Sequence, residues 1–131
     1  MKTAELSIFI IEDDAHFRET FIDVMSLRGV LARGAGSAAE ALKVLPGETP
    51  AVVVLDVKLP DMNGLELCRR LRRIDAFKKT PIILISASTM YNDPRDRVEG
   101  LLAGASLFLP KPITIEKLWA EIEFLLKPKT R

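Results

Sequence analysis

The apolar residues of this chain gather into five short runs, separated by longer stretches in which they recur at helical spacing. Leu6 to Ile11, Ala51 to Leu55 and Pro81 to Ser86 are nearly continuous apolar runs. Rich in β-branched residues, such runs suit strands buried on both faces, as in a parallel sheet. Val30 to Arg33 and Leu107 to Leu109 read as shorter, weaker strands. Phe17, Phe21, Val24 and Met25 predict a first helix that Gly29 closes. Ala38, Ala41, Leu42 and Leu45 stripe a second, which opens with the capping-box pattern Ser37-Ala-Ala-Glu40 and ends at Pro46-Gly47. A third helix runs from about Gly64 to Ile74. Val98, Leu101, Leu102 and Ala105 mark a fourth, and Ile115, Leu118, Trp119, Ile122 and Leu126 a fifth that Pro128 terminates. Strands alternating with helices predict an α/β fold: a doubly wound five-stranded parallel sheet with five helices on its two faces. No repeat or internal linker interrupts residues 1–131, so a single domain is expected, with 127–131 as a tail or the start of a linker.

Composition narrows the class without naming a function. A chain of 131 residues can bury one respectable core, and 48% hydrophobic with 28% charged content fits neither a disordered nor a membrane-embedded protein. No apolar run reaches bilayer-spanning length, and the first residues lack the apolar stretch of a signal peptide. A net charge of +1 gives no support for general nucleic-acid binding. The one cysteine, Cys68, sits in a helical pattern with Leu67 and Leu71 and reads as packing. Its solitude suits a reducing compartment, and a cytoplasmic location is expected. His16 reads as a surface residue of the first helix.

The chemistry collects where strands end. The first strand runs into Glu12, Asp13 and Asp14, the third into Asp56, the fourth into Ser86, and the fifth into Pro110-Lys111-Pro112. In open α/β sheets ligands bind just beyond the carboxyl ends of the strands. Pro60 stops the third strand from continuing, and Gly64 permits a turn before the next helix. Carboxylates packed together repel, so such a site calls for a cation; oxygen ligands in an open cleft suit Mg²⁺. Mg²⁺ beside a fixed carboxylate, a hydroxyl and a lysine fits phosphoryl transfer to the carboxylate.

Taken jointly, these residues resemble the receiver domain of two-component response regulators over essentially the whole chain. The resemblance rests on Glu12-Asp13 after the first strand, the frame Asp56-x-x-x-Pro60-x-x-x-Gly64, Ser86-Ala87 after the fourth strand and Lys111-Pro112 after the fifth. It implies a flavodoxin-like fold and a phosphoacceptor at Asp56. Asp13, Asp56 and the backbone carbonyl of Lys58 would ligate Mg²⁺, with Glu12 acting through water. Lys111 and Ser86 would bind phosphoryl oxygens, and the Lys111-Pro112 bond would be cis. Lys58 and Ser88 would border the path of the water that removes the phosphoryl group.

The implied role is signalling rather than enzymatic turnover. A sensor histidine kinase or phosphotransfer protein would donate the phosphoryl group, and the chain would catalyse only its own phosphorylation and slow dephosphorylation. A downstream protein or output domain would read the result, with no nucleic acid or membrane bound directly. Ser86 and Phe108 would form the switch, Phe108 standing where a Tyr is common, so that no phenol can signal. The readout, and a homodimer, are expected on the face of the fourth helix, fifth strand and fifth helix, next to a longer loop from Ala87 to Pro94. Three alternatives stand beside this reading. A Mg²⁺-dependent phosphohydrolase with an Asp nucleophile usually offers a second Asp two residues on, where this chain has Lys58. A nucleotide or flavin binder would need a glycine- or hydroxyl-rich phosphate loop, where this chain has three acids. A phosphorylation-independent interaction module would have no use for the full set of site residues.

Overall fold

The computed structural model describes residues 6–86 and 94–127. Five parallel strands form one sheet in the order β2-β1-β3-β4-β5. They are β1 (Ser7–Ile11), β2 (Leu31–Ala35), β3 (Val52–Asp56), β4 (Ile82–Ser86) and β5 (Leu107–Pro110). Helices α1 (Ala15–Leu27), α2 (Ala38–Val44), α3 (Gly64–Arg72), α4 (Pro94–Leu102) and α5 (Ile115–Leu126) connect or follow them. The expected doubly wound α/β fold is therefore present. Every residue of β3 and β4 is buried, as continuous apolar strands in mid-sheet must be.

Alternation along the strands divides the core into two layers. Phe9, Ile11, Val53, Leu55 and Leu84 point to the face covered by α2 and α3, where they meet Ala41, Leu45, Leu67, Cys68 and Leu71. Ile8, Ile10, Val52, Val54, Ile83 and Ile85 point to the other face, against Phe21 and Met25 of α1 and Leu118 and Ile122 of α5. Cys68 is fully buried among apolar neighbours, and burial pushes its thiol pKa up, as the packing role requires. His16 is exposed.

Local signals set most boundaries, with three differences. β2 begins one residue later than its sequence pattern and extends to Ala35, because five residues pair in register with Ser7 to Ile11. α3 ends at Arg72, and a 3-10 turn at Asp75–Phe77 follows. Of the stripe expected for α4, Val98, Leu101 and Leu102 face outward at 52%, 55% and 79% exposure, while Ala105, past the end of the helix, is buried. The inward positions are small instead. A Cβ on Gly100 would lie 2.6 Å from Cδ2 of Phe108, so the ring of β5 fills the space a larger α4 residue would need.

Candidate functional site

Each candidate side chain is delivered to one edge of the sheet by the end of a strand. β1 and β3 are neighbours, and the chain leaves them in opposite directions across the sheet, which opens a crevice between the loops that follow. Glu12 directly follows β1 and is fully buried; Asp13 beside it is exposed. Asp56 closes β3 at 3% exposure. Carboxylate oxygens of Glu12, Asp13 and Asp56 all lie within 4.8 Å of one another.

Lys111 reaches this cluster from the end of β5. Its Nζ donates to Glu12 Oε1 at 2.7 Å and to Asp56 Oδ2 at 2.8 Å. Its backbone N–H donates to the Ser86 carbonyl at 2.8 Å, which ties the β5 exit to that of β4. The Lys111-Pro112 peptide is cis, as the resemblance implied. Ser86 is buried at 5% exposure and lies opposite Pro110 in the β4–β5 register. Backbone donors hold the remaining carboxylate oxygens. Lys58 N–H donates to Asp56 Oδ1 at 3.0 Å, and Asp14 N–H donates to Glu12 Oε2 at 3.0 Å.

Charge and burial compete here. Burial pushes the Glu12 carboxyl up to about 7; the Lys111 ammonium opposes that rise and the neighbouring Asp56 adds to it. Burial also disfavours the Lys111 ammonium, but its hydrogen bonds to Asp56 and Glu12 outweigh this and hold its pKa above the usual lysine range. One ammonium cannot offset three acids, so the cluster favours a further cation. Its donors are all oxygens, and the exposed Asp13 leaves a way in from solvent. That set fits a hard divalent ion such as Mg²⁺ and offers zinc no thiolate or imidazole.

The loop after Asp56 is tightly folded. Gly64 N–H donates to the Val57 carbonyl at 2.6 Å, and Lys58 bridges Asn63 across the turn. A Cβ on Gly64 would strike the Asp56 carbonyl oxygen and lie 2.8 Å from Val57 Cα, so only glycine fits against the acid-bearing strand end. Asn63 then caps α3 by accepting from Leu65 N–H at 2.7 Å.

The expected site residues Glu12, Asp13, Asp56 and Lys111 thus converge on one crevice, with the Lys58 amide at its edge and Ser86 joined to Lys111 through its backbone carbonyl. The ring of Phe108 lies against Gly100 of α4. Ser88 and the loop from Ala87 to Asp93 lie outside the described residues. Three contributors escaped the sequence reading. Asp14 caps α1 by accepting from Phe17 N–H, a role its place before the helix could have announced. Arg18 donates to the Glu12 carbonyl at 2.6 Å, its side chain lying over Gly34 and Gly36. Asp61 accepts from the Ala38 and Ala39 amides. Nothing local in the sequence marks these last two partnerships.

An acid crevice at the β1–β3 switch point, joined by a lysine from β5, is the arrangement of a phosphoacceptor module. Residues 8–123 match the response regulator receiver domain family, and this chain belongs to it. Domains of this family are signalling modules of two-component systems rather than enzymes in the usual sense. The chain is 37% identical over 123 residues to response regulator MprA of Mycolicibacterium vanbaalenii, covering 94% of this chain and 51% of that protein. It is 36% identical over 122 residues to response regulator MprA of Mycobacterium leprae, covering 93% and 51%. The chain thus spans about half the length of the curated relatives it matches. Among solved structures, a response regulator from Chloroflexus aurantiacus superposes with a TM-score of 0.82 at 29% identity, covering 94% of this chain and 98% of that one. The signal receiver domain of a histidine kinase from Syntrophus aciditrophicus gives 0.80 at 29%, covering 95% and 94%. No helix among the described residues is long and apolar enough to cross a membrane.

Proposed function

We propose that Asp56 accepts a phosphoryl group from a sensor histidine kinase or phosphotransfer protein, and that the resulting acyl phosphate switches the domain. The observation that carries this reading is the Asp56 carboxylate itself. It is fixed at the end of the central strand, 3% exposed, and bonded at 2.8 Å to the Lys111 ammonium. In the transfer, an Asp56 oxygen forms the new bond to phosphorus while the bond from phosphorus to the donor nitrogen breaks, and the donor imidazole leaves with that electron pair. Lys111, already oriented by two carboxylates, is placed to follow the charge onto the phosphoryl oxygens, joined by the Ser86 hydroxyl.

Asp13, Asp56 and the Lys58 carbonyl would hold Mg²⁺, with Glu12 acting through water. When bound, the ion neutralises charge on the phosphoryl oxygens. Lys58 stands two residues beyond Asp56, where a phosphohydrolase of this kind carries a second Asp, which favours a stable switch over a phosphohydrolase. The chain's own catalysis is then limited to its phosphorylation and slow dephosphorylation. The bonds from the Lys111 ammonium to Asp56 and Glu12 also favour phosphorylation control over an interaction module indifferent to it. Ser86 and Phe108 would carry the change to the face of α4, β5 and α5, where exposed Val98, Leu101 and Leu102 offer apolar area to a downstream protein, an output domain or a second copy. The setting is cytoplasmic, where kinase and phosphodonor reside.

Incubation with acetyl phosphate and Mg²⁺ should add one phosphoryl group, read by intact mass and mapped to Asp56. Asp56→Asn should abolish the gain. Labelling of that variant to the wild-type extent on another acid of the crevice would sink the assignment.

A further inference from the structure

Asp61 lies five residues beyond Asp56 in the β3–α3 loop, and its side chain is exposed and bonded to the start of α2. Its Oδ1 accepts from Ala38 N–H at 2.9 Å and its Oδ2 from Ala39 N–H at 2.9 Å, so both carboxylate oxygens are spent on the first turn of α2. Two backbone donors on one carboxylate hold its pKa below the usual aspartate range, and the group meets that turn as an anion. The same turn is held from its other side. Ser37 accepts from Glu40 N–H at 3.1 Å, and Glu40 Oε1 accepts from Gly36 N–H at 2.9 Å. Gly36 in turn lies under the Arg18 guanidinium, which donates to the Glu12 carbonyl.

We infer that Asp61 is a positioning residue for the phosphorylation site: it ties the loop that follows Asp56 to the start of α2, and through Gly36 and Arg18 to the loop that carries Glu12 and Asp13. The inference rests on Asp56 being the phosphoacceptor. The physical reason is that, beyond Val57, whose N–H donates to the Ile85 carbonyl at 2.9 Å, and Leu59, which is buried in the core, the loop's other described restraints are internal to it. The Lys58–Asn63 bridge and the Gly64–Val57 hydrogen bond fix its shape, and the Lys58 amide on Asp56 fixes one end. Asp61 adds side-chain bonds that span 22 and 23 residues and set where the folded loop sits relative to the other acid-bearing loop. Partners hydrogen-bonded to metal-ligating side chains commonly change affinity by about 10–100-fold, and Asp61, one step further out, belongs at the lower end of that range.

Three readouts on the full chain decide it: Mg²⁺ affinity by calorimetry, the acetyl phosphate labelling rate at saturating Mg²⁺, and amide exchange at Lys58 and Gly64 without metal. Asp61→Ala should weaken Mg²⁺ binding about tenfold, slow labelling by a similar factor and speed both amides' exchange. Asp61→Asn keeps one acceptor oxygen and should fall between the two; it carries the same test if Asp61→Ala does not fold. A lower melting temperature with Mg²⁺ affinity, labelling rate and exchange all at wild-type values would make Asp61 a helix cap only and overturn the inference. The wild type run alongside separates the two levels. If it takes label elsewhere than Asp56, the phosphoacceptor reading fails; if it is labelled on Asp56 and the variants match it, only the role of Asp61 fails.

Discussion

The buried Glu12 makes the metal-free protein less stable as pH rises through neutrality. Its carboxyl titrates near 7 in the folded state, against 4.5 in an unstructured chain. The folded state therefore holds a proton that the unfolded state has released between these values, and stability falls with increasing pH in that window. The Lys111 shift is upward from 10.5, so its stabilising contribution is fully present throughout. The Asp61 shift is downward from 3.8, so its contribution is lost only below that value. Neither masks the Glu12 effect between pH 5 and 7.5. For one carboxyl with these two pKa values, linkage gives a loss of about 2 kcal/mol across that range. In a domain of this size that is roughly 6–8 °C in melting temperature. The assay is thermal unfolding in EDTA at a series of pH values, for wild type and Glu12→Gln. The amide cannot titrate, so the variant should lose this slope. It should also pay a pH-independent cost of about 1 kcal/mol, since a single amide oxygen cannot serve both the Lys111 ammonium and the Asp14 amide. A wild-type melting temperature that stays flat, or a Glu12→Gln slope equal to the wild type's, would refute the argument.

Two further perturbations follow from the same geometry. Millimolar Mg²⁺ should raise the melting temperature, since at a concentration about a hundredfold above its dissociation constant linkage contributes roughly 2.7 kcal/mol; Asp13→Asn should shrink the shift, and coincident wild-type melts with and without the ion would count against the metal site. Gly64→Ala places a methyl group against the Asp56 carbonyl and should cost on the order of 2–3 kcal/mol in urea unfolding, whereas a neutral result would mean that the loop relaxes away from the strand end.

The apolar runs dictated the strands, because a strand buried on both faces has no polar face to record and its run stops where burial stops. That is also why the site was legible. Glu12, Asp56, Ser86 and Lys111 are the first polar groups after such runs, and a parallel sheet brings all those ends to one edge. Helix starts were legible in part: Ser37 caps α2 as its pattern predicts, though Glu40 reaches Gly36 rather than the amide of Ser37 itself. What tertiary structure alone decided are the pairings. Lys111 meets Glu12 across 99 residues and Asp56 across 55, a consequence of strand order that local spacing does not encode. At the opposite edge of the sheet, Arg72 reaches the Gly104 carbonyl across 32 residues for the same reason. α4 shows the limit most plainly. Its spacing marks Val98, Leu101 and Leu102 as an apolar stripe, but a stripe states only that one side of a helix is hydrophobic. Whether that side turns inward depends on the room beneath it, and there Phe108 already lies against Gly100.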